Sequence, residues 1–314
     1  PDRPAGRAGD RPALRAVAAG ESVADLESSL RQLSVLEQAG TRCGAERPRL
    51  VWFFSGHGGQ WPGMASDLLA AEPTFCAALS ECDQAVATVA GFHIIEELAA
   101  PPATSRLHRT DILQPVIFGI QVALARTLMA WGLRPDAVYG QSIGEVAAAV
   151  VAGALSLAEG ARVIALWSAV VHERASGRGG MVLCDLCLED AERFTRTLPA
   201  AALAGHMSPG HVCFAATEAT LGELAAALKA QGKRVHRIQI DYPCHSPQMA
   251  ALVPELVSRM GTVQCGPCAI PMVSTVHGQL LPGESLTAAY WAENMQRPMA
   301  VVAAPSTARP AAAR

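Results

Sequence analysis

A serine between two glycines is the feature of this sequence that most directly predicts chemistry. Residues 140–144 read Gly-Gln-Ser-Ile-Gly; they follow a short apolar run, 137–139, and precede a segment of helical composition, 145–152. A strand, a tight Gly-x-Ser-x-Gly turn and a helix form a nucleophile elbow, in which the glycines permit a sharp turn. The serine hydroxyl is then exposed at the positive end of the helix. The pattern therefore predicts Ser142 as a nucleophile.

A serine nucleophile needs a general base within hydrogen-bond reach, and the usual base is histidine. The sequence contains nine histidines. Most of them stand in polar or loop segments, where a solvated or hydrogen-bonded histidine is the simplest interpretation. His245 stands where a predicted inserted unit rejoins the rest of the chain, a place where a side chain can face a cleft. Sequence order alone leaves it one candidate among several.

The elements that must position these residues predict an α/β body. A chain of 314 residues, half of them apolar, exceeds one average domain and suffices for a large core. Residues 1–48 are expected to be a linker with one helix, from about residue 23 to 37. A strand is predicted over residues 49–54 and a long amphipathic helix from Thr110 to about Trp131. A capping box at Ser156 and Glu159 predicts the start of another helix, which continues to about residue 172.

After residue 176 the predicted strands and helices become short and alternate, and this change predicts an inserted unit. Its short alternating segments are typical of an antiparallel sheet with helices on one face. The predicted elements are a strand at 181–187, a helix at 189–197, a strand at 211–216, a helix at 219–231 and a strand at 234–241.

Composition excludes several classes of function. A net charge of -3 and a pI near 6.3 give no footprint for nucleic acid or an anionic membrane. No uncharged apolar run reaches 18 residues and no signal-type segment opens the chain, so a soluble, cytoplasmic protein is expected. Nine scattered cysteines do not suggest a disulfide framework.

Two Cys-x-x-Cys pairs raise the question of a metal. Cys184 and Cys187 fall in a predicted strand, where an odd separation points the thiols to opposite faces. Cys265 and Cys268 flank a Gly-Pro loop. Chance spacing is the better interpretation of both pairs, and no metal site is expected.

Four separated motifs carry a family resemblance. They are Phe-Phe-Ser-Gly-His-Gly-Gly-Gln-Trp-Pro-Gly-Met at 53–64, Leu-Gln-Pro at 113–115, Gly-Gln-Ser-Ile-Gly-Glu at 140–145 and Tyr-Pro-Cys-His-Ser-Pro-Gln-Met at 242–249. With these motifs, residues 49–300 resemble the malonyl-CoA:acyl-carrier-protein transacylase family, most closely the acyltransferase domains of modular polyketide synthases.

The resemblance implies a fold and a domain division. The fold is an α/β-hydrolase-like large subdomain with a parallel sheet, formed by residues 49–176 and 246–314. A ferredoxin-like α+β small subdomain, residues 177–245, is inserted into it. The tail from residue 301 to 314 is rich in Ala, Pro and Arg and lacks the last helix and strand that such a domain would have, so a truncated or altered end is expected.

The resemblance also implies a Ser–His dyad. Ser142 would be the nucleophile and His245 the base and later the acid, with the second imidazole nitrogen held by a backbone carbonyl near Arg297. The backbone amides of His57 and Ile143 would form the oxyanion hole, where one donor typically contributes about 3 kcal/mol at the transition state.

No bound cofactor is implied. The family takes acyl-CoA as donor and the phosphopantetheine thiol of an acyl carrier protein as acceptor, among other polyketide synthase domains. Gln114 would be a polar support beside the site; an ordinary helix or surface amide is the simpler alternative.

Departures from the family pattern bear on the substrate. Extender-loading members hold the substrate carboxylate with an arginine 25 residues after the nucleophile, and here that position is Trp167. Gln141 stands where many members have histidine. Both features resemble loading acyltransferases for non-carboxylated starters, of the avermectin synthase type. The simpler alternative is that Trp167 merely packs, since it shares an apolar helical stripe with Ile164 and Val171.

The segment before His245 favours a branched substrate. In the family, a tyrosine at the position of Tyr242 accompanies α-branched acyl groups, and the small Cys244 fits the same preference, for example isobutyryl or 2-methylbutyryl. Met207 stands where asparagine is common, consistent with a changed acyl pocket. His57 replaces the usual glutamine, although its assigned role uses only the backbone.

The leading hypothesis is therefore a loading acyltransferase that works by ping-pong transfer. One alternative is an extender-unit transferase for malonyl or methylmalonyl groups that has lost or moved its arginine. A second is an editing hydrolase of acyl thioesters, and a third is a docking scaffold without chemistry. The intact Ser142, His245 and elbow argue against the scaffold.

Overall fold

The computed structural model describes residues 49–302 and a few positions nearer the N-terminus, namely 14, 15, 24, 27, 28, 41 and 42. Most of residues 1–48, with the linker helix expected there, and residues 303–314 lie outside the described residues. The chain divides into two compact units, Pro1–Arg49 and Leu50–Arg314. In the first unit, the strands β1 (Leu14–Arg15) and β2 (Thr41–Arg42) pair antiparallel.

The second unit, Leu50–Arg314, contains two sheets with helices. In chain order its described elements are β3 (Val51–Phe54), α1 (Ser66–Ala71), α2 (Pro73–Ala90), α3 (Ile94–Ala99), α4 (Thr110–Ala130), β4 (Ala137–Gly140), α5 (Gly144–Val151), α6 (Leu157–Ala175), β5 (Gly180–Cys184), α7 (Leu188–Thr197), β6 (Ala202–Ser208), β7 (His211–Ala216), α8 (Glu218–Ala230), β8 (Val235–Arg237), α9 (Val253–Met260), β9 (Met272–Ser274), β10 (Gln279–Leu280) and α10 (Ala288–Gln296).

The larger sheet has the order β10-β9-β4-β3. Strands β3, β4 and β9 are parallel, and β10 adds an antiparallel edge. The β-branched and aromatic residues of β3 and β4 favour extended backbone. Parallel pairing brings the carboxyl ends of β3 and β4 to the same edge of the sheet, which is where the predicted elbow follows β4.

Helices α2, α4 and α6 form the main core beside this sheet. The helix predicted from Thr110 is confirmed, and it ends at Ala130. Helix α4 is long and apolar enough to cross a bilayer, but 67% of its most apolar window is buried within the protein. It is therefore a core helix. Gly119 brings it close to α3, since a Cβ there would lie 2.6 Å from Ile94 Cδ1 and would require that side chain to shift.

The smaller sheet has the order β6-β7-β5-β8, with every neighbouring pair antiparallel. With α7 after β5 and α8 after β7, this is a β-α-β-β-α-β unit of ferredoxin-like order, as expected from the resemblance. Its helices cover a core of their own around Phe214 and Leu224. The fold is therefore α/β with a parallel sheet and a small inserted antiparallel sheet.

Strand β6 was absent from the prediction. Its sequence, Ala-Leu-Ala-Gly-His-Met-Ser, lacks the alternation of apolar and polar residues by which a half-buried strand is recognised. Its pairing with β7 is also interrupted twice by register shifts. Strand β8 is shorter than the predicted 234–241 and ends at Arg237.

The first Cys-x-x-Cys pair is not on one strand. Strand β5 ends at Cys184, and Cys187 is the residue before α7. The prediction of a strand to residue 187 was wrong, because the chain turns at 185–186 to enter the helix. Among the residues that the structure describes, no group of three or more His, Cys, Asp or Glu side chains is arranged to hold a metal.

The capping box at the start of α6 is half formed. Ser156 Oγ accepts the amide of Glu159 at 3.1 Å, as predicted. The Glu159 carboxylate does not turn back to Ser156; it binds the guanidinium of Arg162 and accepts the amide of Gln264. A charged partner and a second amide are available to it, so the reciprocal bond of the box is not made.

Candidate active site

The predicted elbow is present after β4, and its geometry explains both glycines. Ser142 has φ 55°, in the left-handed region that non-glycine residues rarely adopt. A Cβ on Gly144 would lie 2.2 Å from the carbonyl oxygen of Phe54, and one on Gly140 would lie 2.2 Å from the amide of Glu145. No side chain fits at either place, so the tight turn that presents Ser142 depends on both glycines.

The structure brings His245 to Ser142. The imidazole Nε2 lies 2.8 Å from Ser142 Oγ, and Nδ1 lies 3.0 Å from the carbonyl oxygen of Arg297. A carbonyl can only accept, so Nδ1 must carry the proton and Nε2 is left free to accept the hydroxyl proton. His245 also has a positive φ, 57°, and its amide donates to the carbonyl of Met295 at 3.0 Å.

The electrostatic setting of His245 keeps the imidazole neutral. Burial lowers its pKa to about 4, while backbone carbonyls of Arg297 and Asn294 act in the opposite direction. The Asn294 carbonyl belongs to the last turn of α10, where the helix dipole is negative, and Arg297 is the extended residue that follows the helix. The two carbonyls occupy the place that a carboxylate has in a catalytic triad and favour the imidazolium that forms when Ser142 reacts.

The buried carboxylate of Glu145 holds the elbow in place through hydrogen bonds to neighbouring elements. Glu145 Oε1 lies 2.6 Å from the Thr275 amide and 2.5 Å from its hydroxyl. Glu145 Oε2 accepts the hydroxyl of Tyr290, which also lies 2.7 Å from Ser274 Oγ. Complete burial raises the pKa of Glu145 to about 7 despite these bonds. Thr275 Oγ1 further contacts the carbonyl of Gly140 at 2.9 Å.

This network joins the elbow to α10, because Tyr290 belongs to that helix. The two halves of the dyad are therefore tied together at a second point, away from their own hydrogen bond. Sequence reasoning assigned Glu145 to a motif but gave it no role, and it gave no attention to Tyr290 or Thr275. Neither residue carries a local pattern that indicates such a partnership.

The two amides expected to form the oxyanion hole lie in the elbow, at Ile143, and in the loop that contains His57. Neither the Ile143 nor the His57 amide has a backbone acceptor among residues 49–302. The loop of His57 lies against the elbow, since a Cβ on Gly56 would lie 3.0 Å from the carbonyl oxygen of Gln141. Burial lowers the pKa of the His57 imidazole to about 4, with Asp241 opposing the shift. The oxyanion role of both amides stays a prediction.

Beside the dyad is a cavity of about 20 Å³, room for roughly one water molecule. Three residues predicted for the substrate pocket, Gln141, Tyr242 and Cys244, line it together with Ser142 and His245. No lysine or arginine is among its lining residues. The lining residues that sequence reasoning missed are apolar or carry sulfur: Met181, Cys213, Ile238, Ile240 and Met299.

Residues 51–313 match the acyl transferase domain family. The chain belongs to this family. It is 40% identical over 250 residues to the spectinabilin polyketide synthase system protein NorA′ of Streptomyces orinoci, covering 79% of this chain and 7% of that protein. It is 36% identical over 254 residues to erythronolide synthase EryA2 of Saccharopolyspora erythraea, covering 81% of this chain and 7% of that protein. The chain thus spans a small part of these curated relatives.

Solved acyltransferase domains have the same fold. A loading acyltransferase from the avermectin modular polyketide synthase superposes with a TM-score of 0.77 at 33% identity, covering 80% of each chain. The acyltransferase domain from module 8 of the salinomycin polyketide synthase gives a TM-score of 0.80 at 33% identity, covering 90% of this chain and 68% of that one. The neighbours therefore include both a loading domain and a domain from within a synthase.

Two predicted pocket residues of this acyl transferase domain do not line the Ser142 cavity. Trp167 is fully buried and packs on Trp291, with ring centroids 6.3 Å apart. This placement matches the packing alternative for its helical stripe. Met207 is partly buried, and its sulfur lies close to Gly205.

Gln114 of the acyl transferase domain is buried in α4, and its Nε2 donates to the hydroxyl of Tyr242 at 2.7 Å. Tyr242 lines the Ser142 cavity, so Gln114 acts through a residue that would touch the acyl group. This arrangement differs from the ordinary surface amide that was the simpler alternative. The helix residue and the segment before His245 are joined by this bond.

A larger cleft of about 850 Å³ adjoins the cavity. It lies between the loop of residues 57–63, the segment 98–110 and the segment 237–241, and it shares His57, Ile238 and Ile240 with the smaller cavity. Its size is within the range of sites for organic ligands.

Proposed function

We propose that the chain is the loading acyltransferase of a polyketide synthase, acting in the cytoplasm. It transfers a short, non-carboxylated and α-branched acyl group, such as isobutyryl or 2-methylbutyryl, from acyl-CoA to a carrier protein. Family membership and the similarity to polyketide synthases support the acyl transfer. The carrier protein and the neighbouring synthase domains belong to the proposal.

In the first half-reaction, Ser142 Oγ attacks the thioester carbonyl while His245 Nε2 takes the hydroxyl proton. The tetrahedral oxyanion would be held by the amides of Ile143 and His57. Collapse breaks the C–S bond, and the coenzyme A sulfur leaves with the proton from His245. The product is an acyl ester on Ser142.

In the second half-reaction, the phosphopantetheine thiol of the carrier protein attacks the ester. His245 removes the thiol proton and returns it to Ser142 Oγ as the ester bond breaks. The same cleft serves both thioesters in turn, since both carry a pantetheine arm. This gives ping-pong kinetics.

The observation that carries the starter assignment is the cavity lining, which includes neither lysine nor arginine. A malonyl or methylmalonyl carboxylate bound there would be an unpaired buried anion, at a cost of several kcal/mol. Each ~1.4 kcal/mol is tenfold in affinity or rate. Uncharged acyl groups incur no such cost.

The preference for an α-branched group is supported by the residues before His245. Tyr242 and Cys244 both line the cavity, and Tyr242 is fixed by Gln114 at 2.7 Å. A small thiol at position 244 leaves space beside the α-carbon that a bulky side chain would fill. One methylene contributes about 1–3 kcal/mol of discrimination, so the site should accept several short acyl groups.

An acylation panel tests the proposal. The protein is incubated separately with isobutyryl-, 2-methylbutyryl-, propionyl-, acetyl- and methylmalonyl-CoA, and acyl-enzyme formation is followed by intact mass. Labelling by the uncharged thioesters is expected, at rates at least about 100-fold above methylmalonyl-CoA. Ser142→Ala is the control and should take no label. Preferential labelling by methylmalonyl-CoA would refute the starter assignment.

The same acyl-enzyme separates a transferase from an editing hydrolase. Decay of the label is measured in buffer alone and after addition of pantetheine or a loading carrier protein. A transferase retains the ester in buffer and loses it rapidly to the thiol. Equal decay with and without the thiol would favour the hydrolase.

A further inference from the structure

The acyl cavity is too small for the proposed substrate in the conformation seen. It has room for roughly one water molecule, about 20 Å³, whereas a branched four- or five-carbon acyl group needs far more. An acyl group that fills this cavity, and does not only extend into the adjoining cleft, displaces one of the lining side chains. Which lining side chain can move depends on how firmly its neighbours hold it.

Four of the twelve lining residues are held or stiff. The Tyr242 hydroxyl is bonded to Gln114, and both nitrogens of His245 have partners. Ile238 and Ile240 are β-branched and therefore stiff at χ1. A thioether side chain is different, because it is unbranched, has three rotatable bonds and fills irregular space. Met181 and Met299 are such side chains, and the surroundings of Met299 are unusual.

Met299 lies over a glycine. A Cβ built on Gly205 would be 3.1 Å from Met299 Cε, 3.2 Å from Met299 Cβ and 3.3 Å from Met207 Sδ. Two thioether side chains therefore share the space that a larger residue in β6 would fill. The side chain behind Met299 is therefore the flexible thioether of Met207.

The main chain of Met299 is fixed by two hydrogen bonds, whereas no hydrogen bond from the described residues holds its side chain. Its amide donates to the Ala204 carbonyl at 2.9 Å, and its carbonyl accepts the amide of His206 at 3.0 Å. These two bonds fix the backbone to β6 on both sides of Gly205. Movement at Met299 is therefore confined to the side chain that lines the cavity.

We propose that Met299, backed by Gly205 and Met207, is the movable wall that sets the size of acyl group accepted at Ser142. This inference rests on the proposed acyl transfer and adds the residue that determines substrate size. It assigns Met207, which does not line the cavity, an indirect role behind Met299. The acyl chain displaces the Met299 thioether toward the flexible side chain of Met207.

Two substitutions move this wall in opposite directions. Met299→Ala removes it and enlarges the cavity. Gly205→Ala adds a methyl group behind it, at a distance tighter than ordinary contact, and pushes Met299 toward Ser142. Gly205 has no positive φ, so alanine adds no backbone strain there. Neither residue is hydrogen-bonded to Ser142 or His245.

The test is a competition. Equimolar propionyl-CoA and 2-methylbutyryl-CoA are offered to the wild-type protein and each variant, and the ratio of the two acyl-enzymes is read by intact mass at early times. Relative to wild type, the ratio of 2-methylbutyryl to propionyl label should rise about tenfold in Met299→Ala and fall about tenfold in Gly205→Ala. Met299→Val, which keeps an apolar side chain of smaller size, should shift the ratio in the same direction as alanine.

Met260→Ala is the matched control. Met260 is as buried as Met299, at 2% and 4% exposure, but does not line the cavity, so its loss should leave the ratio unchanged. A ratio that stays constant in all folded variants, or that moves the same way in Met299→Ala and Gly205→Ala, would overturn the inference.

Failure of the proposed function has a different signature. If the wild-type protein takes label only from methylmalonyl-CoA, the starter assignment is wrong, and the competition is repeated with methylmalonyl-CoA and ethylmalonyl-CoA. The wall is then supported by the same opposite shifts in the larger-to-smaller ratio. It is refuted by their absence.

Discussion

The two sides of Ser142 are built from different materials. On one side, Gly140, Glu145, Thr275 and Tyr290 are joined by buried hydrogen bonds that leave no side chain free to move. On the other side, the cavity wall is apolar and rich in sulfur, with Met299 resting on side chains of the smaller sheet. We call these the polar side and the sulfur side.

The difference follows from what each side must do. A proton passes between Ser142 and His245 only when their separation and direction are held, and hydrogen bonds fix direction well. An acyl group needs volume without fixed direction, and dispersion contacts with a polarizable thioether supply it. Under the proposed function, the polar side fixes the chemistry, and substrate choice is left to the sulfur side.

The same change, glycine to alanine, gives the largest expected contrast between the two sides. On the polar side, a Cβ at Gly144 would lie 2.2 Å from the Phe54 carbonyl, which belongs to a paired strand. On the sulfur side, a Cβ at Gly205 would meet only side-chain atoms, at 3.1–3.3 Å. Gly144→Ala should lower the free energy of unfolding by about 3 kcal/mol or more. Gly205→Ala should change it by less than about 1 kcal/mol.

Urea unfolding of the two variants measures this contrast. Gly222→Ala in α8 is the control, since a Cβ there meets nothing within 4 Å and alanine favours a helix. It should stabilise the protein by about 0.5–1 kcal/mol. Equal destabilisation by Gly144→Ala and Gly205→Ala would show that the two sides are equally rigid.

A second prediction concerns the charge buried on the polar side. Burial raises the pKa of Glu145 from 4.5 to about 7, so the folded state holds a proton there that the unfolded state has lost between these pH values. Stability from this group is therefore present below about pH 4.5 and is lost as the pH rises to about 7. Relative to Glu145→Gln, the wild-type protein should lose about 3 kcal/mol of unfolding free energy between pH 4.5 and pH 8.

Comparison with the glutamine variant isolates this group. His57 and His245 have pKa values lowered to about 4, so they act in the opposite direction, with stability rising between about pH 4 and pH 6.5. Both histidines are present in both proteins, and their contributions cancel in the difference. A difference that stays constant from pH 5 to pH 8 would mean that Glu145 titrates normally.

The two sides also differ in how much of each could be predicted from the sequence. The elbow could be predicted from local backbone requirements, because Gly-x-Ser-x-Gly between a strand and a helix imposes a tight turn, whereas His245 was selected as its partner by the family resemblance alone. The carbonyl of Arg297 was expected from the family resemblance, and the structure places it 3.0 Å from Nδ1. Each of these features is carried by a few adjacent residues.

The sulfur side could not be predicted in this way. Met299 and Gly205 are 94 positions apart in the numbering and meet through the bridge between the segment after α10 and β6. Strand β6 itself has no alternating pattern, so no local signal announces the contact. Trp167 was expected in the pocket from its register in the family, yet it packs on Trp291. A register identifies which residue is exchanged but not where a larger side chain goes.

The smallest expected effect is at the bond that joins the cavity wall to a core helix, from Gln114 on α4 to Tyr242. Tyr242→Phe removes the hydroxyl that accepts Gln114 Nε2 and leaves a buried amide unpaired, which costs about 1–3 kcal/mol of unfolding free energy. Gln114→Met alone leaves the Tyr242 hydroxyl unpaired at a similar cost. The double variant removes both polar partners and should recover most of the loss. Urea unfolding of the four proteins gives the coupling energy. A coupling energy near zero would mean that this hydrogen bond does not stabilise the cavity wall, and Gln114 would then be only a buried amide beside the site.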